Sequence, residues 1–392
     1  MTISKNSSRD VIISGAGFTG TLLAIALQEK GLQVTLLDRR DFMTPLQNDG
    51  RTFAITLGSK RYLETLGIWE KLKYTPTPIQ HILITDHKSQ HRLHYDAKDL
   101  GRGPMGYMVR SEDLDQAIKS SLKGVEILEN EEVENLTHSL SQIHLNLKSG
   151  EMLSAPSAVA ADGKFSKLRE LAGITHRTIP YDQKAIVGVV KHSEPHHFIA
   201  FEHFTPFGPL AFLPLEDNTS AFVWSLDSEK SDHMMNVSED EFAQELAATF
   251  GPHLGQFELV GTRESYPLSL TTTYKIYSDR LILLGDAAHA MHPVAGQGLN
   301  LGIRDVGDLS QILTQAKSLG LDLGSETILS KYAKSRKWDQ TSLLSSTHGL
   351  IRLFGNSSRA LRLLRGQGLS LVGMLPPLKT YLMKRAMGVS GD

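Results

Sequence analysis

Between Val11 and Asp38 the chain has little freedom of architecture. A short β-branched run, Val11 to Ser14, leads into Gly15-Ala16-Gly17-Phe18-Thr19-Gly20. Helical spacing follows through Leu22, Leu23, Ala26 and Leu27. Gly31 closes that helix, Val34 to Leu37 is a second strand, and Asp38 ends it. Strand, glycine turn, helix, strand and acid in this order form a dinucleotide-binding unit. Gly15 permits the tight turn, Gly17 lets a pyrophosphate approach the backbone, and Gly20 lets the helix pack close to the strand. Asp38 lies where a carboxylate can bind a ribose hydroxyl. A glycine-rich turn that binds nothing is the plainer alternative, but every element of the context is present. NAD and FAD both use such a unit, so it does not choose between them.

A second strand-loop-helix unit lies far downstream. Leu281 to Leu284 reads as a short buried strand that Gly285-Asp286 breaks. A loop with Pro293, Gly296, Gln297 and Gly298 follows, and helical spacing resumes through Leu299, Ile303 and Val306. Backbone N–H groups and a helix N-terminus can here point at a ligand. Asp286 stands at the strand's carboxyl end, where open α/β sheets bind ligands, and can accept hydrogen bonds from polyol hydroxyls. The competing reading makes Asp286 an ordinary N-cap.

Length and composition exclude several classes. A chain of 392 residues suggests two domains, or one large one with an insertion. A net charge of −2 gives no global sign of nucleic-acid binding. The absence of cysteine removes disulfides, thiolate metal sites and cysteine nucleophiles. The histidines at 192, 196, 197 and 203 lack metal-ligand spacing, so no metal is expected. Neither GxSxG nor GxxxxGK[ST] occurs. No signal peptide or membrane-spanning run is read, and the expected location is cytoplasmic.

Between the two units the chain changes character. Asp49-Gly50 makes a turn before Arg51, which is either a surface arginine or a guanidinium near cofactor phosphates or the substrate entrance. Residues 79–98 alternate as a hairpin would. Tyr107 to Arg110 is a strand, and Ser111 is read as the cap of the next helix. Asp162 and Arg169, in ADGKFSKLRELAG, are candidate cofactor neighbours, against a plain Asp162-Gly163 turn. From about 180 to 275, strand-like runs broken by Pro, Gly, Asn and Asp predict an antiparallel sheet, with a helix near Glu239 to Phe250. Phe204, Phe207, Phe212, Leu213 and Trp224 form either an apolar wall for an aromatic substrate or ordinary core. From Gly349 the tail carries Arg352, Arg359, Arg362, Arg365, Lys379, Lys384 and Arg385 among apolar residues. That pattern suits an anionic membrane surface or a docked helix with a basic face.

Three segments, GAGFTG, AADGKFSKLRE and LLGDAAHAMHPVAGQGLNLGIRDV, together resemble the FAD-dependent class A flavoprotein monooxygenases. The HPVAGQGLNLGIRD run looks like the ubiquinone-biosynthesis hydroxylase branch, as do DGRTFAITLGS, YMVRSEDLDQAI, GPLAFLPL and MLPPLKTYLMKRAMG. Thr52-Phe53 departs from the smaller or aliphatic residues of that branch. The resemblance implies an α/β fold with an α+β substrate part. A Rossmann-like FAD-binding domain (1–78, 99–180 and 276–345) would carry a para-hydroxybenzoate-hydroxylase-like antiparallel substrate domain (79–98 and 181–275) and a basic helical C-terminus (346–392).

It also implies site roles. Gly15, Gly17 and Gly20 would hold the FAD pyrophosphate, Asp38 and Arg39 the adenosine side, and Asp286 the ribityl chain. Arg51, Arg110 and Asp162 would lie near the cofactor. The backbone from Pro293 to Asn300, including Gly296, Gln297, Gly298 and Leu299, would flank the isoalloxazine and form the reaction locus. Reduced FAD would form a C4a-hydroperoxide with O2 and pass one oxygen to a polyprenylated phenol, NAD(P)H or a protein supplying electrons. The implied partners are that lipid substrate, a ubiquinone-biosynthesis complex and the inner face of the membrane. A hydroxylase of a soluble aromatic and a non-catalytic FAD-binding accessory protein are the competing functions.

Overall fold

The computed structural model describes residues 9–42, 44, 51–87, 92–290, 296–354 and 375–389. Pro293 and most of the basic tail lie outside them.

A six-stranded sheet forms the first layer. Its order is Tyr277–Ser278, Leu281–Leu283, Ser157–Ala160, Val11–Ser14, Val34–Leu37 and Glu126–Leu128. All pairs are parallel except the first. Its four inner strands are fully buried, so each is a continuous apolar or small-residue run rather than an alternating one. The register puts Leu37, Ser14, Ala160 and Leu283 in one row. Asp38, Gly15, Ala161 and Leu284 therefore leave the sheet side by side. Val11–Ser14 is the strand from which the order runs both ways, the position where such sheets bind ligands.

Helix Phe18–Glu29 follows the first strand and ends at Lys30, with Gly31 at φ +82° as its stop. Helix Gln297–Ser318 packs against it. Small antiparallel sheets add to this half: Val133–His138 with Ile143–Leu147 and Met152–Ala155, and Thr52–Thr56 with Gly106–Arg110 and Thr77–Ile79.

The second layer is an eight-stranded sheet built around two long strands, His176–His192 and Phe257–Thr273. The hairpin expected over 79–98 is present as His81–Asp86 against Arg92–Asp96. It joins the sheet in parallel with Ile199–Thr205, so the sheet is not wholly antiparallel. A strand arriving from a distant part of the chain is free of the hairpin constraint that forces antiparallel pairing. Helix Glu239–Phe250 occurs where the spacing places it, and helix Ser228–Asn236 precedes it.

The aromatic residues of this sheet do not make one wall. Side chains alternate between faces. Phe212 and Trp224 point with Phe222, Phe242 and Phe250 into a core beneath the two helices. Phe204 and Leu213 point the other way, into separate clusters towards the first layer. Phe207 is 46% exposed, with the Lys230 ammonium over its ring. Ser111 is likewise not a cap: Arg110 holds that position and Ser111 opens the helix Ser111–Ser121.

The C-terminal helix Pro376–Ala386 returns to the body. Its end is tied down where the Gly58 amide donates to the Met387 carbonyl at 2.9 Å. Among the described residues no helix is long and apolar enough to cross a membrane, and no cluster of His, Asp and Glu is arranged to hold a metal ion. His192 instead bonds the Glu194 carbonyl and the Ser220 hydroxyl, and His196 the Leu215 carbonyl.

Candidate active site

Four chain segments meet at the carboxyl edge of the parallel sheet. The first is the glycine turn. A Cβ on Gly15, at φ +108°, would lie 2.3 Å from the Ala161 carbonyl oxygen, and one on Gly20 would lie 1.9 Å from the Gly15 oxygen. A Cβ on Gly17 would meet nothing within 4 Å. Two glycines thus permit protein-protein contact, while the third borders open space. Gly17 is also the N-cap of its helix and offers no side-chain oxygen, so no side chain caps the first-turn N–H groups. An open hollow lined by uncapped amides at a helix N-terminus suits a pyrophosphate.

The second segment is the end of Val34–Leu37. Asp38 accepts a 2.7 Å hydrogen bond from the Ala16 amide, and its other oxygen accepts from the Arg40 amide and guanidinium. Burial pushes this carboxyl up, but the hydrogen bonds from Arg40 and Ala16 outweigh it and hold the pKa below the usual value. Asp38 is therefore an anion that braces the turn. Arg39 beside it is exposed.

The third and fourth segments are linked by Arg169. This side chain is 2% exposed. It donates to the Ala287 carbonyl at 2.9 Å and to the Lys164 carbonyl at 2.9 Å, clasping the turn after Leu281–Leu283 to the turn after Ser157–Ala160. Asp162 accepts from the Leu168 amide and helps start that short helix. Burial raises the Asp162 pKa.

Asp286 sits in a 3-10 turn, Gly285–Ala287, well before the next helix, so it is not that helix's N-cap. Its side chain is exposed to solvent, while protein atoms crowd round the carboxyl. That crowding raises its pKa, against the opposing pull of His289 and Lys164. Gly285 and Gly302 both pack on Thr19 of the glycine turn: added Cβ atoms would stand 3.1 Å from its hydroxyl and 2.5 Å from its methyl. The two remote units converge on one threonine.

Helix Gln297–Ser318 starts from Gly296 in the left-handed region, φ +59°, again without a side-chain cap. Asn300 is fully buried and its side chain is fully engaged. Its oxygen accepts from the Thr56 amide and hydroxyl, and its nitrogen donates to the Ala54 and Gly296 carbonyls. It staples Gly296 and the start of the helix to strand Thr52–Thr56. Phe53 of that strand packs edge-on against Phe18 of the glycine turn at 5.2 Å.

Two cavities flank this junction. Arg51 and Arg110 are not at the glycine turn but line a cleft of about 370 Å³ with Tyr74, Thr77, Glu216 and Thr219. Arg110 stacks on the Tyr74 ring at 4.3 Å and pairs with Glu216 at 3.1 Å. The second cavity, about 110 Å³, lies between strand Thr52–Thr56, the large sheet and the C-terminal helix. Gln297, Ile79, Ile82, Leu213, Phe201 and Met387 are among its mostly apolar walls. Apolar cavities of about 150 Å³ take up benzene, so this is space on the scale of one ring. Glu202 also lines it. Sequence reasoning passed over this residue, although a charged side chain amid the apolar run IAFEHF was the available signal.

The sequence model of the FAD binding domain family matches residues 8–344. The chain is 40% identical to the ubiquinone hydroxylase UbiL of Rhodospirillum rubrum, over 99% of this chain and 91% of that one. It is 30% identical to the 3-demethoxyubiquinol 3-hydroxylase of Escherichia coli, over 98% and 100%. The crystal structure of p-nitrophenol 4-monooxygenase PnpA from Pseudomonas putida superposes with a TM-score of 0.78 at 20% identity, covering 98% of this chain and 99% of that one, which is a likeness of fold. The open hollow at Gly17, the exposed Asp286, the two uncapped helix starts and the convergence of both units on Thr19 fit the cofactor that this family carries. The family match and the identity to a ubiquinone hydroxylase over nearly the whole chain place it in the FAD-dependent aromatic-ring monooxygenases, in the family of the ubiquinone hydroxylases.

Proposed function

We propose that the chain hydroxylates the aromatic ring of a polyprenylated phenol or benzoquinol intermediate of ubiquinone biosynthesis, using FAD, O2 and electrons from NAD(P)H or a donor protein. One observation carries this reading: a ring-sized apolar cavity abuts Gln297, the first residue of the helix that starts at the FAD cradle. FAD, when bound, supplies the oxygen-activating chemistry. The protein's own residues do the rest. The glycine turn and the first-turn amides of Phe18–Glu29 bind the phosphates. Asp38 and Arg39 face the adenosine ribose, Asp286 holds the polyol chain, and the backbone at Gly296, Gln297 and Gly298 orients the ring. Arg51 and Arg110 line the neighbouring cleft, where Arg110 is paired with Glu216. Ile79, Ile82, Leu213 and Met387 keep water from the reacting centre. Residues 79–98 and 181–275 form the substrate half in this reading.

A lipid tail leaving the cavity past Ala386 and Met387 meets the C-terminal helix. Leu375, Leu378 and Tyr381 are exposed there, and Lys379, Lys384 and Arg385 lie among them. An apolar stripe flanked by cations suits the surface of an anionic bilayer, so the lipid is taken directly from the membrane. The test supplies the FAD-loaded protein with a reductant, ¹⁸O2 and either a prenylphenol in anionic vesicles or a small soluble phenol. One ¹⁸O in the prenylphenol ring is the expected product. Turnover of the soluble phenol alone assigns a soluble-aromatic hydroxylase, and FAD binding with no ¹⁸O in either ring assigns an accessory protein.

A further inference from the structure

Glu202 stands out among the residues of the ring-sized cavity. Of the described side chains that line it, Glu202 is the one with an ionisable group. It belongs to strand Ile199–Thr205, where Ala200 and Phe204 point to the same face and Phe201 and His203 to the other. The register places it beside Ile84 on one neighbouring strand and Ala211 on the other. Among the described residues it has neither a hydrogen-bond partner nor an ion pair. Glu202 is half-buried and its carboxyl is not sealed in the core, so with no protein partner it is open to a ligand in the cavity.

The titratable groups on the surrounding elements do not compensate it. Asp86 and Tyr95 share its face of the sheet. His87, His203 and His253 lie on the opposite face. Lys384 and Arg385 are on the closing helix. Burial alone raises the Glu202 pKa to about 7. A carboxyl of that pKa is ionised for about half the time at neutral pH, which is the condition for a general base.

We propose that Glu202 is a catalytic base that receives the phenolic hydroxyl of the bound ring. The assignment rests on the ring-hydroxylase reading above. In the ground state the ionised carboxylate accepts a hydrogen bond from the phenol O–H and fixes the ring's rotation in the cavity. As the ring is attacked, the O–H bond breaks and the proton passes to a Glu202 Oε. The electron pair stays on the phenolic oxygen and is delocalised onto the ortho and para carbons, the positions an electrophilic oxygen reaches. This step consumes no oxidant or reductant.

The test compares two ligands by the perturbation of flavin absorbance on binding to the FAD-loaded protein: 2-prenylphenol and its methyl ether, which has no proton to donate. The native protein should prefer the phenol about tenfold above pH 7, as hydrogen bonds to charged groups do. The preference should fade as pH falls through about 7 and Glu202 is protonated. In Glu202→Gln the preference should be small and independent of pH, and in Glu202→Asp it should be partly restored, with FAD content unchanged in both. Equal binding of phenol and ether by the native protein, or no binding of either, overturns the proposal. So does a Glu202→Gln protein that keeps the pH-dependent preference. Ring ¹⁸O incorporation is measured in parallel: its absence from the native protein overturns the hydroxylase reading and with it the catalytic role, while the ligand preference still decides whether Glu202 receives the phenol hydroxyl.

Discussion

Single atoms decide the character of the cofactor cradle. Gly17 borders open space, whereas Gly15 and Gly20 have protein atoms where a Cβ would stand. Gly17→Val therefore leaves the apoprotein's packing almost untouched and fills the hollow. We expect it to fold with a melting temperature close to the native one and to lose flavin, which the absorbance of the purified protein reads directly. Gly20→Ala forces a carbon onto the Gly15 carbonyl, so the same measurement should show lost flavin together with lost stability. The close fit at Gly20 was legible in the sequence because its contact, the Gly15 carbonyl, lies a few residues away, whereas the Ala161 carbonyl that crowds Gly15 comes from a distant segment. Glu202 was not, because its meaning comes from strands more than a hundred residues away in the chain.

At the scale of elements, side-chain staples hold the loops. Asn300 joins helix Gln297–Ser318 to strand Thr52–Thr56 with three hydrogen bonds and holds the Gly296 carbonyl with a fourth, none of them exposed. Asn300→Leu is nearly isosteric but leaves the Thr56 amide and the Ala54 carbonyl unpaired. A cost of about 2–4 kcal/mol follows from two such orphaned groups. We expect denaturant unfolding to show that loss, and flavin affinity to fall because Gly296 loses its tether. The alternation of the 180–275 region predicted a sheet correctly but could not say which face was which. Phe212 and Trp224 serve the helix-covered face and Leu213 the cavity, a choice made by what each face packs against. The parallel junction between His81–Asp86 and Ile199–Thr205 was equally hidden, since it joins segments with no common turn.

Across the whole molecule, a buried charge cluster ties the site to the C-terminal helices. Asp305 accepts from His289, just past Asp286, at 2.6 Å and from Arg336 of helix Glu326–Phe354 at 2.6 Å. Arg336 also meets Asp308 and Asp339, and Gln340 donates to Asp305. Burial would raise the Asp305 carboxyl, but His289 and Arg336 prevail and hold it at about 2. Because its folded pKa lies below its unfolded value of about 3.9, its contribution is fully present above pH ~4 and disappears as pH falls towards 2. A shift of this size corresponds to about 3 kcal/mol. In Asp305→Asn the acid limb of the stability-pH curve should flatten over that window, and a curve still parallel to the native one would remove the cluster from this role.

The two ligand sites are finished at different points along the chain. Every segment of the flavin cradle lies before residue 319, whereas the cavity for the ring takes its outer wall from Ala386 and Met387, hydrogen-bonded back to Gly58. In the proposed reading, the residues that would grip the flavin leave the ribosome before the wall that would enclose the ring.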